Sequence, residues 1–404
     1  MSWLEGYLST YRGLPPRVWI LAVVCLVNRV GSMVITFLSL YVSNHLGADV
    51  ETVGRVLTAH GAGAVVGVIA GGALVDRLGP KRIMVASLTS NAIGFVLISR
   101  IPDVDWLMVA MFVLAAFGEA VRPANTAALA GAARPEDMGR AFGLMQLAVN
   151  LGVSIGAGVG GFLAAISYPA LFYVDAAAAF AGAVLTLLYV KEGTAAPRAA
   201  REKSEARRPS GVALLIGGQV VVSALLIQMF TTAPLYHNVV NGFSERRIGL
   251  LVVVNTLIIT FSQVPAAARL ASMPTLRVIA GGLVGFAGGY LLLPFTSAYA
   301  MAVTAMTIFT LGELVIFPAL NTHVAKAAPP GETGRYMGMT FAAHAGGRLV
   351  APFVGTLVYQ RLGPLYLWWG CAVVGLLLAL AYVLAENRDR RSGQSAHLGH
   401  ATEE

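Results

Sequence analysis

The stretch GEAVRPANTAALAGAARPEDMGRAFG, Gly118–Gly143, returns later in the chain as GELVIFPALNTHVAKAAPPGETGRYMG, Gly312–Gly338. Gly118 and Glu119 match Gly312 and Glu313 at an offset of 194 residues. Pro123, Ala124, Gly139, Arg140 and Gly143 match Pro318, Ala319, Gly334, Arg335 and Gly338 at an offset of 195. In each copy a glutamate sits inside an apolar run, and a basic turn leads into the next run. The chain is therefore read as two homologous halves in the same orientation. That is the arrangement of parallel repeats about an axis along the membrane normal, which rock around a site near the midplane.

Outward from this repeat the chain stays apolar. Of 404 residues, 57% are hydrophobic and only 12% charged; the mean hydropathy is +0.72. A soluble domain carries roughly a quarter charged residues, so lipid must be the solvent for much of this surface. Runs long enough to span, about 20 residues each, fall at roughly 18–41, 52–75, 82–100, 106–129, 140–166, 169–190, 212–236, 248–268, 277–295, 298–322, 335–360 and 364–385. The expected fold is all-α, with twelve transmembrane helices in two six-helix bundles. Residues 1–190 form the N-terminal half and 212–385 the C-terminal half. Between them Lys191–Gly211, KEGTAAPRAAREKSEARRPSG, reads as a flexible cytoplasmic linker. Residues 386–404 read as a loose polar tail. The N-terminal MSWLEGYLSTYRGLPPR does not read as a cleaved signal.

Charge sets the topology. With the N-terminus in the cytoplasm, 20 Lys and Arg fall in cytoplasmic segments and 5 in outer ones. The other three, Arg29, Arg122 and Arg348, lie inside helices. The net charge of +8 is thus a positive-inside signal, and nucleic acid is not an expected partner. Cys25 and Cys371 sit in apolar runs and offer neither a disulfide framework nor a zinc pattern. No metal or cofactor is expected. Gly152-Val-Ser154-Ile-Gly156 fits a hydrolase elbow in letters only, since it lies in one apolar helix with no strand beside it.

The turn after the second span reads Gly72-Ala-Leu-Val-Asp76-Arg77-Leu-Gly79-Pro-Lys81-Arg82. Asp76 ends one helix, Gly79 permits a tight turn and the cations hold the loop inside. The ordered set closely resembles G-x-L-x-D-R-x-G-x-K/R-x, the cytoplasmic loop of the major facilitator superfamily. The fifth span reads Gly143-x8-Gly152-x3-Gly156-Ala157-x2-Gly160-Gly161. It resembles the fifth-helix signature of that superfamily's 12-helix drug:proton antiporters, with Ala157 where those have Pro. Another antiporter element, an Arg four residues before a fourth-helix Gly, is replaced by Leu114 before Gly118. The resemblance implies that Gly72, Asp76, Arg77, Gly79, Lys81, Gly143, Gly152, Gly156, Gly160 and Gly161 serve conformational gating. A glycine face for tight helix packing is the plainer account of the fifth span.

Charges within the membrane are functional hypotheses by default. In the resembled superfamily the first and fourth helices of each half line the central cavity. That implies a substrate cavity with Asn28, Arg29, Glu119 and Arg122 on one wall and Glu313 on the other. Glu313 and Glu119 are the candidate proton-coupling groups. Arg348, His344 and His60 are candidate charge partners or titrating groups, His344 and His60 also reading as hydrogen-bonded histidines of a Gly-rich interface. Met33, Phe37, Met111 and Phe309 are candidate apolar lining, or plain packing. Asp175 is placed near the outer interface, with no role.

The expected activity is proton-coupled efflux of small amphipathic or drug-like compounds by alternating access. The expected partners are substrate, protons and the bilayer, and the expected state is a monomer in a bacterial plasma membrane. Uptake or exchange of a polar solute such as a peptide, sugar or siderophore, and lipid translocation, are the alternatives. No enzyme constellation is present in the sequence. The topology yields a first prediction. Reporter fusions at Ala48, Ser204 and Ala396 should read outside, inside and inside; an outside signal at Ser204 would rule out two parallel halves.

Overall fold

Helix boundaries follow local signals. Asp49 and Asp103 cap helices by accepting the N–H of Thr52 (3.1 Å) and of Asp105 and Trp106 (both 3.0 Å). Gly79, at φ 83°, donates its N–H to Val75 O and hands the chain to Pro80 at the first position of the next helix. Only glycine tolerates that φ without strain, so Gly79 is the residue of the loop signature that the backbone requires. Gly72, by contrast, stands in open space.

These signals recur through the computed structural model, which describes residues 11–192, 212–270, 273–328 and 333–401. From residue 193 to 211 the expected linker lies outside the described residues. The helices are α1 Pro16–His45, α2 Val50–Leu78, α3 Pro80–Ile98, α4 Val104–Ala132, α5 Pro135–Ala164 and α6 Tyr168–Tyr189. They continue as α7 Val212–Val239, α8 Glu245–Leu270, α9 Thr275–Phe295, α10 Tyr299–Ala327, α11 Thr333–Leu362 and α12 Pro364–Ala401. Among the described residues 11 helices are long and apolar enough to cross a membrane. α8, 26 residues long and opening on Glu245-Arg246-Arg247, stands outside that set. The protein is a multi-pass, all-helical membrane protein. α12 runs on to Ala401, so residues 386–401 of the stretch expected as a loose tail continue the helix, and 402–404 lie outside the described residues.

Two helices expected to be continuous are broken. α1 consists of Pro16–Val30 and Met33–Leu40, followed by a wider turn over Tyr41–His45. The gap at Gly31–Ser32 is closed locally, with Gly31 N–H bonded to Val27 O and Ser32 Oγ donating to Arg29 O at 2.7 Å. α4 consists of Val104–Gly118 and Val121–Ala132. Its break lies at Glu119, four residues before Pro123. A proline has no N–H for the carbonyl at i−4 and crowds it, so Glu119 O accepts from Arg122 N instead, at 3.1 Å.

The chain forms two compact units. Among the described residues one holds 11–192 with 234–260, and the other 212–233 with 261–401. In the first, small-residue stripes set the packing. Gly67 and Gly71 of α2 lie on α4, where an added Cβ would come within 2.6 Å of Ala116 O and Ala120 Cβ respectively. α5 uses two faces. Gly152, Gly156 and Gly160 receive α1, with added methyls 2.6 Å from Arg29 Cβ, 2.7 Å from Val30 O and 2.9 Å from Phe37 Cε2. Gly161 receives the start of α8, its added methyl 2.8 Å from Glu245 O. Ala157 shares that face: a methyl on Gly249 of α8 would strike its carbonyl.

In the second unit α9 and α10 meet through Gly285 and Gly312, where a methyl on Gly285 would lie 2.9 Å from Gly312 Cα. Phe286 stacks on Phe309 at 4.1 Å, and Tyr290 contacts both Phe309 and Trp368. The Tyr290 hydroxyl donates to Leu225 O. Phe309, Met33, Phe37 and Met111 are all at most 1% exposed. They are packed inside the protein: Met33 and Phe37 meet Gly160, Phe309 meets Gly289 and the Phe286 ring, and Met111 is fully buried. Packing this close predicts a contrast. Gly152→Val should lower stability by about 1–3 kcal/mol through overpacking, whereas Gly72→Ala should be neutral or better. Thermal unfolding in detergent measures both, and equal effects would contradict the packing described.

Candidate functional site

The two helix breaks fall where the membrane charges are. Arg29 is in the last turn before the α1 gap, and Glu119 is the residue at which α4 stops. Three residues apart across that break, Glu119 and Arg122 form an ion pair, joined by a 3.5 Å hydrogen bond from Arg122 Nη2 to Glu119 Oε1. The Glu119 side chain is 20% exposed and that of Arg122 45%. Arg29 interacts with Glu119, with the Arg122 guanidinium and with the Cys25 thiol. His60 of α2 also acts on Glu119. Sequence-predicted residues Arg29, Glu119, Arg122 and His60 are thus brought together on three helices, with Cys25 added. Arg29 Nε is buried without a hydrogen-bond partner. Such a donor in a low-dielectric place carries a desolvation penalty until an acceptor reaches it.

Glu313 lies in the second unit on an unbroken stretch of α10. It is half-buried, follows the close-packed Gly312, and is near enough to Tyr290 to act on its hydroxyl. One turn on, Phe317 meets the His344 ring edge-on at 5.6 Å. His344 Nδ1 is bonded to Ser223 Oγ at 2.7 Å and to Gln219 Nε2 at 3.3 Å, both on α7. His344 therefore sits in a polar network against α7 and α10. Arg348, one turn further along α11, is exposed. Of the loop residues, Asp76 and Arg77 are exposed at the end of α2.

Sequence reasoning missed a second polar cluster, at the other end of α1. Asn44 Nδ2 lies 2.9 Å from Asn238 Oδ1, 3.2 Å from Tyr168 Oη and 3.3 Å from Glu245 Oε1. Tyr168 donates to the same Glu245 oxygen at 2.7 Å. Arg246 stacks over Phe162 at 4.1 Å. These residues tie α1, α5 and α6 to the ends of α7 and α8. Their signal in the sequence was weak, because short polar residues at span ends are expected of any membrane helix. Asp175 was misplaced. It is 0% exposed, not interfacial, because its carboxylate is taken up by backbone donors of α1.

A profile described as Major Facilitator Superfamily matches residues 18–352 and 241–401. The MFS-type transporter YttB of Bacillus subtilis, described as uncharacterized, is 27% identical over 95% of this chain and 98% of its own length. The class C tetracycline resistance protein of Escherichia coli is 27% identical over 78% of this chain and 82% of its own. The crystal structure of the nucleoside transporter NupG superposes with a TM-score of 0.77 at 16% identity, covering 91% of this chain and 99% of that one. The charge cluster itself is testable by a double-mutant cycle. Arg122→Leu and Glu119→Gln, singly and together, should show a coupling of about 0.5–1 kcal/mol in thermal stability, modest because Arg122 is solvated. Strict additivity would show that the pair is not energetically linked.

Proposed function

The chain belongs to the Major Facilitator Superfamily and is a transporter of that family, and on that premise we propose that it exports small amphipathic compounds by proton exchange across the bacterial plasma membrane. The observation that carries this reading is the pair of repeat-related glutamates in unlike settings. Glu119 is paired with Arg122 at a helix break, with Arg29 within electrostatic reach. Glu313 is half-buried on an intact helix, within electrostatic reach of the Tyr290 hydroxyl. Low-dielectric surroundings disfavour an ionised carboxylate, and an approaching cation or water favours it. A carboxyl whose surroundings alternate between those conditions takes up and releases a proton on each cycle. Glu313 has that part in this proposal, and Glu119 holds the cationic end of a substrate or assists coupling. The polar cluster at Asn44, Tyr168, Asn238 and Glu245 closes the outer side in one state, and the Gly72–Lys81 loop with Asp76 and Arg77 latches the cytoplasmic side. The glycine signature of α5 supports such a movement, since smooth faces slide. The named resistance function of the tetracycline relative supports efflux as the direction.

A second reading has one observation in its favour. The buried, unpartnered Nε of Arg29 suits an anionic group on the substrate, as in uptake or exchange of a polar solute. Competition distinguishes the two: lipophilic cations displace the substrate of an exporter, carboxylates that of the alternative.

Glu313→Gln mimics the protonated acid. In everted vesicles it should abolish pH-gradient-driven accumulation of ethidium while leaving ethidium binding intact. If the variant still concentrates the dye at the wild-type rate, the proton is carried elsewhere, with Glu119 or His344 next to be tested.

A further inference from the structure

A helix that restarts inside a bilayer presents N–H groups with no intrahelical acceptor and no water to replace one. In broken transporter helices such an N-terminus commonly faces an anionic ligand. In α1 it faces the protein itself. Asp175 of α6, 0% exposed, accepts Met33 N–H on Oδ1 at 3.1 Å and Val34 N–H on Oδ2 at 2.8 Å. These are the first two residues of the second piece of α1. The partners lie 142 and 141 residues apart in the chain, so no local turn supplies this cap.

The break is also gripped sterically. A Cβ on Gly31 would lie 2.5 Å from Ala178 Cβ and 3.3 Å from Asp175 O, so α6 packs flush against the gap. From another side Gly152 and Gly156 of α5 meet Arg29 and Val30. Ser32 Oγ, inside the gap, holds the carbonyl of Arg29 at 2.7 Å. The gap therefore sets where the first piece of α1 ends, and its last turn carries Arg29, which is hydrogen-bonded to Cys25 and within electrostatic reach of Glu119 and Arg122.

We propose that Asp175 is a positioning residue for transport: its carboxylate fixes the break in α1 and so holds Arg29 within electrostatic reach of Glu119. This rests on the reading of the Arg29–Glu119–Arg122 cluster as part of the substrate site. Without the carboxylate the two N–H groups must find new acceptors. They can do so by re-forming continuous helix, which turns Arg29 away from Glu119, or by admitting water at the gap. Either way Cys25, one turn before Arg29, loses its present packing.

The chain has two cysteines, so a Cys371→Ala background leaves Cys25 as a reporter. Cys25 is 4% exposed and should react slowly with N-ethylmaleimide in native membranes. Asp175→Ala and Asp175→Asn should raise its labelling rate by about tenfold or more, the scale set by one or two hydrogen bonds lost from the closed state. Asp175→Glu should restore most of the protection. The apparent KM for ethidium should rise by a similar factor in Asp175→Asn, about tenfold, because the ligand site is displaced. Wild-type labelling in an inserted Asp175→Ala protein overturns the joint. Raised labelling with an unchanged KM overturns the positioning role and leaves a cap that serves folding alone. Should Asp175→Ala fail to insert, Gly31→Ala displaces the same joint from within α1 and is read by the same criteria. A wild-type protein that moves no ethidium counts against the export reading, while the labelling result still decides the joint.

Discussion

Inside a bilayer every backbone N–H and C=O must be satisfied by protein, and this constraint decides where the helices of this chain can break. α1 opens at Gly31–Ser32 only because the carboxylate of Asp175 waits on α6 for the two N–H groups set free. α4 opens at Glu119 because Pro123 cannot take that carbonyl, and the freed oxygen falls back on Arg122 N. Both breaks leave short, irregular backbone next to charged side chains. The Arg29–Glu119–Arg122 cluster is a consequence: three ionisable side chains come near one another because the helix ends carrying them are fixed relative to one another.

The same constraint separates the two halves. Pro123 and Pro318 are repeat-related, as are Glu119 and Glu313. Yet α4 breaks and α10 does not. One glutamate is left beside two arginines, the other beside Tyr290 on an intact helix. The two repeat-related acids thus sit on differently shaped backbones, one at a helix break and one on a continuous helix. Within the first unit α5 touches both α1 and the start of α8. One of its faces carries the gap in α1, and the next receives the first turns of α8. α5 packs against both Arg29 and the backbone of Glu245.

Much of this was legible in the sequence, for physical reasons. Long apolar runs can only be spanning helices in a chain with so few charges. Gly79 announced its turn, and a Gly-x3-Gly spacing announced a face for close approach. Arg29, Glu119 and Arg122 stood out because charge inside a span is expensive. Other features depended on contacts that no window of sequence contains. Asp175 reads as interfacial in sequence because the N–H donors its carboxylate accepts are more than a hundred residues away. Met33, Phe37, Met111 and Phe309 looked equally suited to a cavity or a core, and only packing against glycines and rings decided for the core. The break in α4 was not legible, because Pro318, Pro234 and Pro352 lie inside α10, α7 and α11 without breaking them.

The export account is tested most directly with the purified wild-type protein in proteoliposomes that hold a pH-sensitive dye. The account predicts that ethidium enters only when the lumen is acidic relative to the bath. It also predicts that adding ethidium speeds the collapse of the proton gradient. Entry at the same rate with no gradient, and no ethidium-dependent proton movement, would contradict it.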